Sequence, residues 1–338
     1  MRKKVCVSGY YGFDNFGDET ILKVLSENLN GFGYEVTVFS SSPKKTASLY
    51  KVKSVNSFSL KDVVKSIFSC DCLVSGGGSL LQDVTSKKSL VYYLFVITLA
   101  QFFGKKTVIF AQGVGPVRNK FLSLLTGLVL KNASCVSVRD EKSLEFAQKF
   151  NKNSVLCCDP VWNIRKIEKQ HNGIVAIQLR AFSTLTDEFI KELACVVNKL
   201  YSNKTIHVLA LQNTQDIQVS EKFKNFIKEI NPDINVKIFE NTSNEKVIYD
   251  LCQADEVIAM RYHACLIAIK NGIKLLPLSY DVKVQKLAER FGLDYIDIEN
   301  AKNIEDKISE FAKKEIAYDN SQIDTMHYDF TEIAKIIG

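Results

Sequence analysis

No apolar run in this 338-residue chain reaches the roughly twenty residues that a membrane-spanning helix needs. The one segment resembling a span, Ser89 to Phe103 (SLVYYLFVITLAQFF), is too short, so no bilayer crossing is expected. Met1-Arg2-Lys3-Lys4 leads into Val5-Cys6-Val7-Ser8, an apolar stretch too brief for the core of a secretory leader, and a first strand is expected there instead. Lysines are scattered rather than gathered in one run, which argues against nucleic acid as a partner. Zinc-ligand spacing is missing from the nine cysteines: Cys70 and Cys72 form a C-x-C, Cys157 and Cys158 a vicinal pair, and the rest lie singly in apolar segments. That is how reduced core thiols are used in a cytoplasmic enzyme, and a disulfide framework is not expected. The loop after the first strand is neither G-x-G-x-x-G nor a lysine-bearing phosphate loop, so a dinucleotide cofactor is disfavoured.

What is present describes a folded protein. Hydrophobic residues make up 46% and charged residues 24%, and 44 basic minus 38 acidic side chains leave a net charge of +6. The length fits two domains of about 150 residues each. Apolar strands alternate with helical stretches, which implies parallel sheets. In the first half the expected strands are Lys4 to Ser8, Glu35 to Ser40, Cys72 to Ser75, Thr107 to Ala111 and Cys135 to Val138. In the second they are Ile174 to Leu179, Thr205 to Leu211, Val236 to Phe239, Glu256 to Ala259 and Lys274 to Leu278. The fold class expected is α/β, two doubly wound Rossmann-like domains with a cleft between them. Their bounds are residues 1–163 and 164–318, with the polar run Arg165 to Asn172 as linker near Asp159-Pro160-Val161-Trp162. Residues 319–338 form a tail whose helix, Phe330 to Ile337, packs back on the first domain.

Three glycine-bearing loops mark one edge of the first domain. Gly9 to Glu19 follows the first strand, Gly76-Gly77-Gly78-Ser79 the third, and Gln112-Gly113-Val114-Gly115-Pro116 the fourth. Glycines there let backbone N–H groups approach an anion or a sugar, so Gly12, Asn15, Gly17, Gly77, Gly78, Gln112 and Gly113 are the candidate acceptor-side residues. Asp18 is expected to cap the following helix and Glu19 to complement its dipole. Asp14, ahead of the cap, is the candidate to bind a hydroxyl or act as a base.

The second half supplies charge. Arg180, Arg261 and Lys283 lie just past strand ends, as does Arg139 near the end of the first half. Four cations at equivalent positions, with His263 two residues after Arg261, describe a site for a small ligand carrying several negative charges. An arginine fork holds two oxygens, and a histidine can move a proton near neutral pH. Two further apolar stretches carry basic ends: Ser89 to Phe103 between Lys87-Lys88 and Lys105-Lys106, and Phe121 to Leu130 between Lys120 and Lys131. Two readings fit them, helices buried on a sheet or helices lying against an anionic membrane surface.

Gly9-Tyr10-Tyr11-Gly12-Phe13 with Gly17-Asp18-Glu19, SGGGSLLQD at Ser75 to Asp83, AQGVGP at Ala111 to Pro116, SVRD at Ser137 to Asp140, Asp159-Pro160, RYHA at Arg261 to Ala264 and Ser279-Tyr280-Asp281 through Lys283 follow one another in a recognisable order. The chain thereby resembles the polysaccharide pyruvyl transferase family, of the CsaB type, from residue 8 to about 285. It departs at Tyr262, where the family usually has leucine, and at Val282, where it often has proline. The resemblance implies a fold like that of GT-B glycosyltransferases. It implies transfer of the enolpyruvyl unit of phosphoenolpyruvate to a sugar as a 4,6-linked ketal, with release of phosphate. For the CsaB type the acceptor is N-acetylmannosamine of a lipid-linked cell wall polysaccharide precursor, and the ketal anchors surface-layer proteins. Matched by motif, Arg139, Arg180, His263 and Lys283 would form the phosphoenolpyruvate site with Arg261 close by. His263 would be the acid, with Arg261 fixing the loop that aims it. Phosphoenolpyruvate is then a co-substrate, and neither a cofactor nor a metal is expected. The partners expected are phosphoenolpyruvate, the lipid-linked acceptor and a peripheral membrane contact, in the cytoplasm at the inner face of the membrane. The competing readings are a GT-B nucleotide-sugar glycosyltransferase and a non-catalytic sugar-binding module.

Overall fold

The computed structural model describes residues 2–168 and 172–338, so residues 169–171 of the expected linker lie outside the described residues. The chain divides into two compact units, Met1–Ile164 with Met326–Gly338, and Arg165–Thr325.

In the first unit the strands are β1 (Lys4–Ser8), β2 (Glu35–Ser40), β3 (Lys53–Asn56), β4 (Cys72–Ser75), β5 (Gly78–Leu81), β6 (Lys106–Val114), β7 (Cys135–Val138) and β8 (Val155–Leu156). They form a parallel sheet in the order β3-β2-β1-β4-β6-β7-β8, with β5 paired to the end of β6. Parallel neighbours demand crossover helices that cover the sheet, which is why β4 reads as an unbroken buried run, Cys72-Leu73-Val74-Ser75. Leu73, Ile109 and Val136 of the sheet pack with Val96, Ile97 and Leu130 of the covering helices. Strand order reverses between β1 and β4, so the loops after these two strands flank the switch point where open α/β sheets bind ligands.

In this unit three strands escape a reading by apolar runs. β3 is Lys-Ser-Val-Asn, β8 has two exposed residues, and β5 begins at a glycine. β6 also runs three residues past Ala111, because Gly78 pairs with Gln112 and Leu81 with Val114. Gly78, Gln112 and Gly113, expected in loops, therefore lie in paired strands. The helix after β1 starts at Phe16, earlier than expected, and Asn15 caps it by accepting from the Gly17 amide at 3.1 Å. Asp18 is thus not the cap but a first-turn residue, where a carboxylate still complements the helix dipole.

In the second unit β9 (Ile174–Gln178), β10 (Thr205–Ala210), β11 (Val236–Glu240), β12 (Glu256–Ala259), β13 (Lys274–Ser279) and β14 (Ile296–Asp297) form a parallel sheet in the order β11-β10-β9-β12-β13-β14. Its switch point lies between β9 and β12. Val175, Ile177, Val208 and Ile258 meet the helical residues Leu193, Val197 and Phe223 in one core.

The chain returns to the first unit at Met326, seven residues later than the expected boundary. The helix Asn320–Thr325 stays with the second unit, where Ile323 is buried and Gln322 donates to the Arg290 carbonyl at 3.2 Å. After it, the Tyr328 ring stands 4.7 Å from Phe110, and its hydroxyl lies 3.0 Å from Ser137 Oγ. The last helix, Thr331–Ile337, buries Ile333 and Ile337, while Tyr34 Oη and Lys106 Nζ donate to the carbonyls of Ala334 and Ile336. Burial of Phe330, Ile333 and Ile337 stabilises by roughly 5–9 kcal/mol as an upper estimate. That is comparable with the whole margin of a domain, about 5–15 kcal/mol. Deleting residues 326–338 is therefore expected to leave the first unit unfolded or aggregated at 37 °C while the second retains a cooperative transition, as read by calorimetry.

Candidate functional site

The carboxyl ends of β9, β12 and β13 are joined by side chains. Gln178, fully buried at the end of β9, accepts from the Arg261 amide through Oε1 at 2.7 Å, and its carbonyl accepts from the Met260 amide at 3.0 Å. Met260 Sδ in turn accepts from the Arg180 amide at 3.2 Å. Arg180 Nη1 donates to Tyr280 Oη, just past β13, at 2.8 Å. Three strand ends and the RYHA turn are thus held in one piece.

The arginines differ in what they hold. Arg261 grips Asp216 with Nε at 2.8 Å and Nη2 at 2.5 Å, and Asp216 also accepts from the Leu211 and Gln212 amides at 3.0 Å. Asp216 is wholly buried, so this is a fixed internal bridge. Arg139 in the first unit behaves alike, donating to Asp159 at 2.9 Å and to Ser79 Oγ at 3.1 Å, with Asp159 at the cap of a short 3₁₀ turn. Arg180 has no carboxylate partner among the described residues. Its guanidinium lies against the Phe182 and Tyr280 rings, 5.9 and 5.3 Å from their centroids, and its buried Nε has no protein acceptor among the described residues. Burial first, then the charge of Asp281, push the Tyr280 phenol up, although Arg180 pulls it down. The phenol therefore keeps its proton, and having accepted from Arg180 it can donate onward.

His263 is half-buried in the first turn of the helix Tyr262–Lys270, with the Tyr262 ring edge-on at 5.2 Å. The cap residue, Arg261, gives that turn no side-chain hydrogen bond, because its guanidinium is committed to Asp216. The next helix, Val282–Arg290, is capped by Asp281, which accepts from the Lys283 and Val284 amides at 2.9 and 3.0 Å and leaves the Lys283 side chain exposed. Arg180, Arg261, His263 and Lys283 thus share one sheet edge of the second unit, whereas Arg139 belongs to the first.

In the first unit the glycine loops are filled from beneath. The Tyr11 ring, fully buried, occupies the space a Cβ would need at Gly9 and at Gly76, and its hydroxyl has no partner among the described residues. A Cβ at Gly77 would meet Ile21, one at Gly78 would meet the Asp18 carboxylate, and one at Gly113 would meet Ser79 Oγ. Gln112 Nε2 ties Ser75 Oγ and the Gly76 carbonyl at 2.7 Å each. Gly12, at φ +83°, donates its amide to buried Glu19 at 2.6 Å, and Glu19 also accepts from Tyr50 Oη at 2.7 Å. Burial raises the Glu19 carboxyl, partly offset by these two donors. Asp14 has a left-handed backbone, φ 56°, and an exposed ion pair with Lys45 at 2.6 Å. Beside it Tyr10 and Phe13 stack at 4.2 Å, with Phe58 edge-on to Phe13 at 6.3 Å, and all three rings are exposed.

Gln178, Asp216, Phe182, Tyr11 and the Tyr10–Phe13 pair are the residues that reading the sequence missed as site builders. Arg180 with Phe182 two residues on was the one local signal. Asp216 has none, since a helical Asp says nothing of the arginine 45 positions later.

Residues 15–282 match the model of one family, described as Polysaccharide pyruvyl transferase. No curated protein matches in sequence. Among solved structures, the chain is similar to the UDP-GlcNAc 2-epimerase of Methanocaldococcus jannaschii, with a TM-score of 0.69 at 10% identity over 100% of this chain and 99% of that one. A UDP-GlcNAc 2-epimerase of Neisseria meningitidis gives 0.60 at 12% identity, covering 96% and 93%. A glycosyltransferase of Rickettsia africae gives 0.58 at 12%, covering 92% and 88%. At such identities the likeness is one of fold, the GT-B-like pair of doubly wound α/β units.

Two stability outcomes follow from the site. Asp216→Ala strands the Arg261 guanidinium and is expected to cost about 3–5 kcal/mol in denaturant unfolding. Gly76→Ala is expected to cost about 1–3 kcal/mol by collision with Tyr11. Tyr11→Phe, which removes the colliding hydroxyl, should be nearly neutral alone and restore part of the Gly76→Ala loss in the double variant.

Proposed function

Because the chain belongs to the polysaccharide pyruvyl transferase family, we propose that it moves the enolpyruvyl unit of phosphoenolpyruvate to a sugar as a 4,6-linked ketal with release of phosphate. The acceptor in this reading is N-acetylmannosamine of a lipid-linked secondary cell wall polysaccharide precursor, whose ketal anchors surface-layer proteins. Nine cysteines, none of them in a disulfide among the described residues, suit a cytoplasmic site of action.

The observation that carries the reading is Arg180. It is a stacked guanidinium without a carboxylate partner among the described residues, beside a protonated phenol and, at the sheet's switch point, a helix start whose cap residue Arg261 gives no side-chain hydrogen bond. Arg180, Tyr280, His263 and Lys283 offer donors and cations there, which suits a ligand with both a carboxylate and a phosphate. Arg180 and Tyr280 would hold one anionic group, and Lys283 the other. Arg261 and Arg139, being committed to carboxylates, act as positioning residues for the RYHA turn and the end of β6.

In the proposed reaction His263 as imidazolium protonates C3 of the enol, and positive charge develops at C2. A sugar hydroxyl adds to C2 and loses its proton. The C2–O bond to phosphate breaks, and a second hydroxyl closes the ketal with loss of its proton. Of the two hydroxyl protons released, one returns to His263 and one leaves with phosphate. Arg180 and Lys283 stabilise the departing phosphate. On the acceptor side, the exposed Tyr10–Phe13 stack offers an aromatic face for the C–H face of a sugar ring. Asp14 would take a hydroxyl there, since an exposed pair with Lys45 is weak enough to yield.

The test is acceptor-dependent release of inorganic phosphate from phosphoenolpyruvate, against a panel of lipid-linked and free sugars. His263→Ala should lower turnover at least roughly a hundredfold with phosphoenolpyruvate still bound. Arg180→Lys, which loses the stacked fork, should weaken phosphoenolpyruvate binding by about tenfold or more. Release of a nucleoside diphosphate from a nucleotide sugar would establish a glycosyltransferase instead. Sugar binding with no phosphate release would establish a non-catalytic module.

A further inference from the structure

The first unit carries an apolar surface that the proposed chemistry does not use. The helices Lys87–Phe102 and Lys120–Lys131 pack against each other and bury one face each. Their outer faces are also apolar. Val91, Phe95 and Phe102 are exposed at positions i, i+4 and i+11 of the first helix, and Phe121, Leu124 and Leu128 at i, i+3 and i+7 of the second. Phe102 is 81% exposed and Phe121 67%. Between them runs an apolar groove floored by Leu94, Leu99, Leu122 and Leu125. An apolar stripe of helical period on the solvent side is not what a helix needs to pack on a sheet, and one all-apolar helix belongs in a core or against lipid.

Charge supplies the second, independent observation. Between Asp83 and Asp140 there is no acidic residue, while Lys87, Lys88, Lys105, Lys106, Arg118, Lys120, Lys131 and Arg139 give this stretch a charge of +8. The whole chain carries +6, so everything outside the stretch sums to 6 − 8 = −2. Arg139 is bonded to Asp159, and Lys106 reaches the Ile336 carbonyl. Lys87, Lys88, Arg118, Lys120 and Lys131 are exposed, and Lys105 half-exposed beside Phe68, itself exposed. Among the described residues none of these six side chains forms an ion pair within 4 Å, and the nearby carboxylate of Asp83 is buried and held by the Arg118 and Asn119 amides, with Lys87 and Arg118 adding only their field. Moreover Lys87, Lys88 and Lys120 occupy first turns, where the helix dipole favours carboxylates and penalises cations, and neither first turn has an acidic residue. Helix stability therefore does not account for their placement.

We infer that this face docks on the surface of an anionic lipid bilayer, with Phe95, Phe102, Phe121 and Leu124 entering the acyl boundary and the lysines meeting phosphate headgroups. Among the described residues no helix is long and apolar enough to cross a membrane, so the contact is one of lying on the surface. Both components are needed, because apolar side chains give depth and each lysine adds attraction that salt weakens.

The test is flotation of the full chain with phosphatidylcholine vesicles and with vesicles containing phosphatidylglycerol. Binding is expected to the anionic vesicles at low salt and to weaken as salt rises. Phe102→Glu with Phe121→Glu should reduce partitioning at least tenfold. Lys87→Gln, Lys88→Gln, Lys120→Gln and Lys131→Gln together should reduce it roughly a hundredfold. All of these sites are exposed, so far-ultraviolet dichroism and the thermal midpoint should not move. Absence of flotation at low salt overturns the inference, as does undiminished flotation of the glutamate variant. A homodimer by light scattering that this variant dissociates, with no vesicle binding, would assign the face to a second copy of the chain and overturn it too. None of these readings depends on phosphoenolpyruvate or phosphate release, so failure here is distinct from failure of the proposed reaction.

Discussion

One buried carboxylate organises the second unit. Asp216 takes two backbone amides from the turn after β10 and the Nε–Nη2 edge of the Arg261 guanidinium, so a single group fixes the start of one helix and the cap of another. Two charges removed from water repay their desolvation only when such bonding is complete. Here it is complete for the carboxylate, with five N–H donors, Gln178 Nε2 among them, around two oxygens. The turn that carries His263 is rigid as a result, and its cap position has no side chain left to fill the first-turn amides.

Similar arginines at similar strand ends thus acquire different physical roles. A carboxylate within reach turns Arg261 and Arg139 inward and makes them struts. Aromatic rings beside Arg180 hold its plane without neutralising it. An arginine packed on rings keeps its charge for a ligand, whereas one saturated by a carboxylate does not. The distinction is set mainly by partners distant in sequence, Asp216 and Tyr280, with Phe182 the one local contributor.

This bears on what could be read beforehand. Strands such as Cys72–Ser75 and Glu256–Ala259 were legible because parallel strands buried along their whole length have mainly apolar residues. β3 and β8 were not, because edge strands carry polar or very short runs, and β5 was hidden by the glycine that opens it. The cations and His263 were legible as residues past strand ends, since period and register place strand ends well. Their partners were not, because Arg261 and Asp216 are 45 residues apart and meet only through the crossover. Likewise the apolar, lysine-flanked helices were legible as a pattern, but only solvent exposure tells a buried side from a bare one.

The glycine loops of the first unit carry a last consequence. Loops that cradle phosphate do so because nothing lies beneath the backbone and the amides face outward together. Here Tyr11 fills the hollow under Gly9 and Gly76, and Glu19 already occupies the Gly12 amide. The edge of this sheet is therefore a plugged floor with the exposed Tyr10–Phe13 stack beside it, whereas the edge of the second sheet presents the Arg180 guanidinium packed on two rings. Two units of common architecture thus present different surfaces at the same edge, one apolar and closed, the other charged.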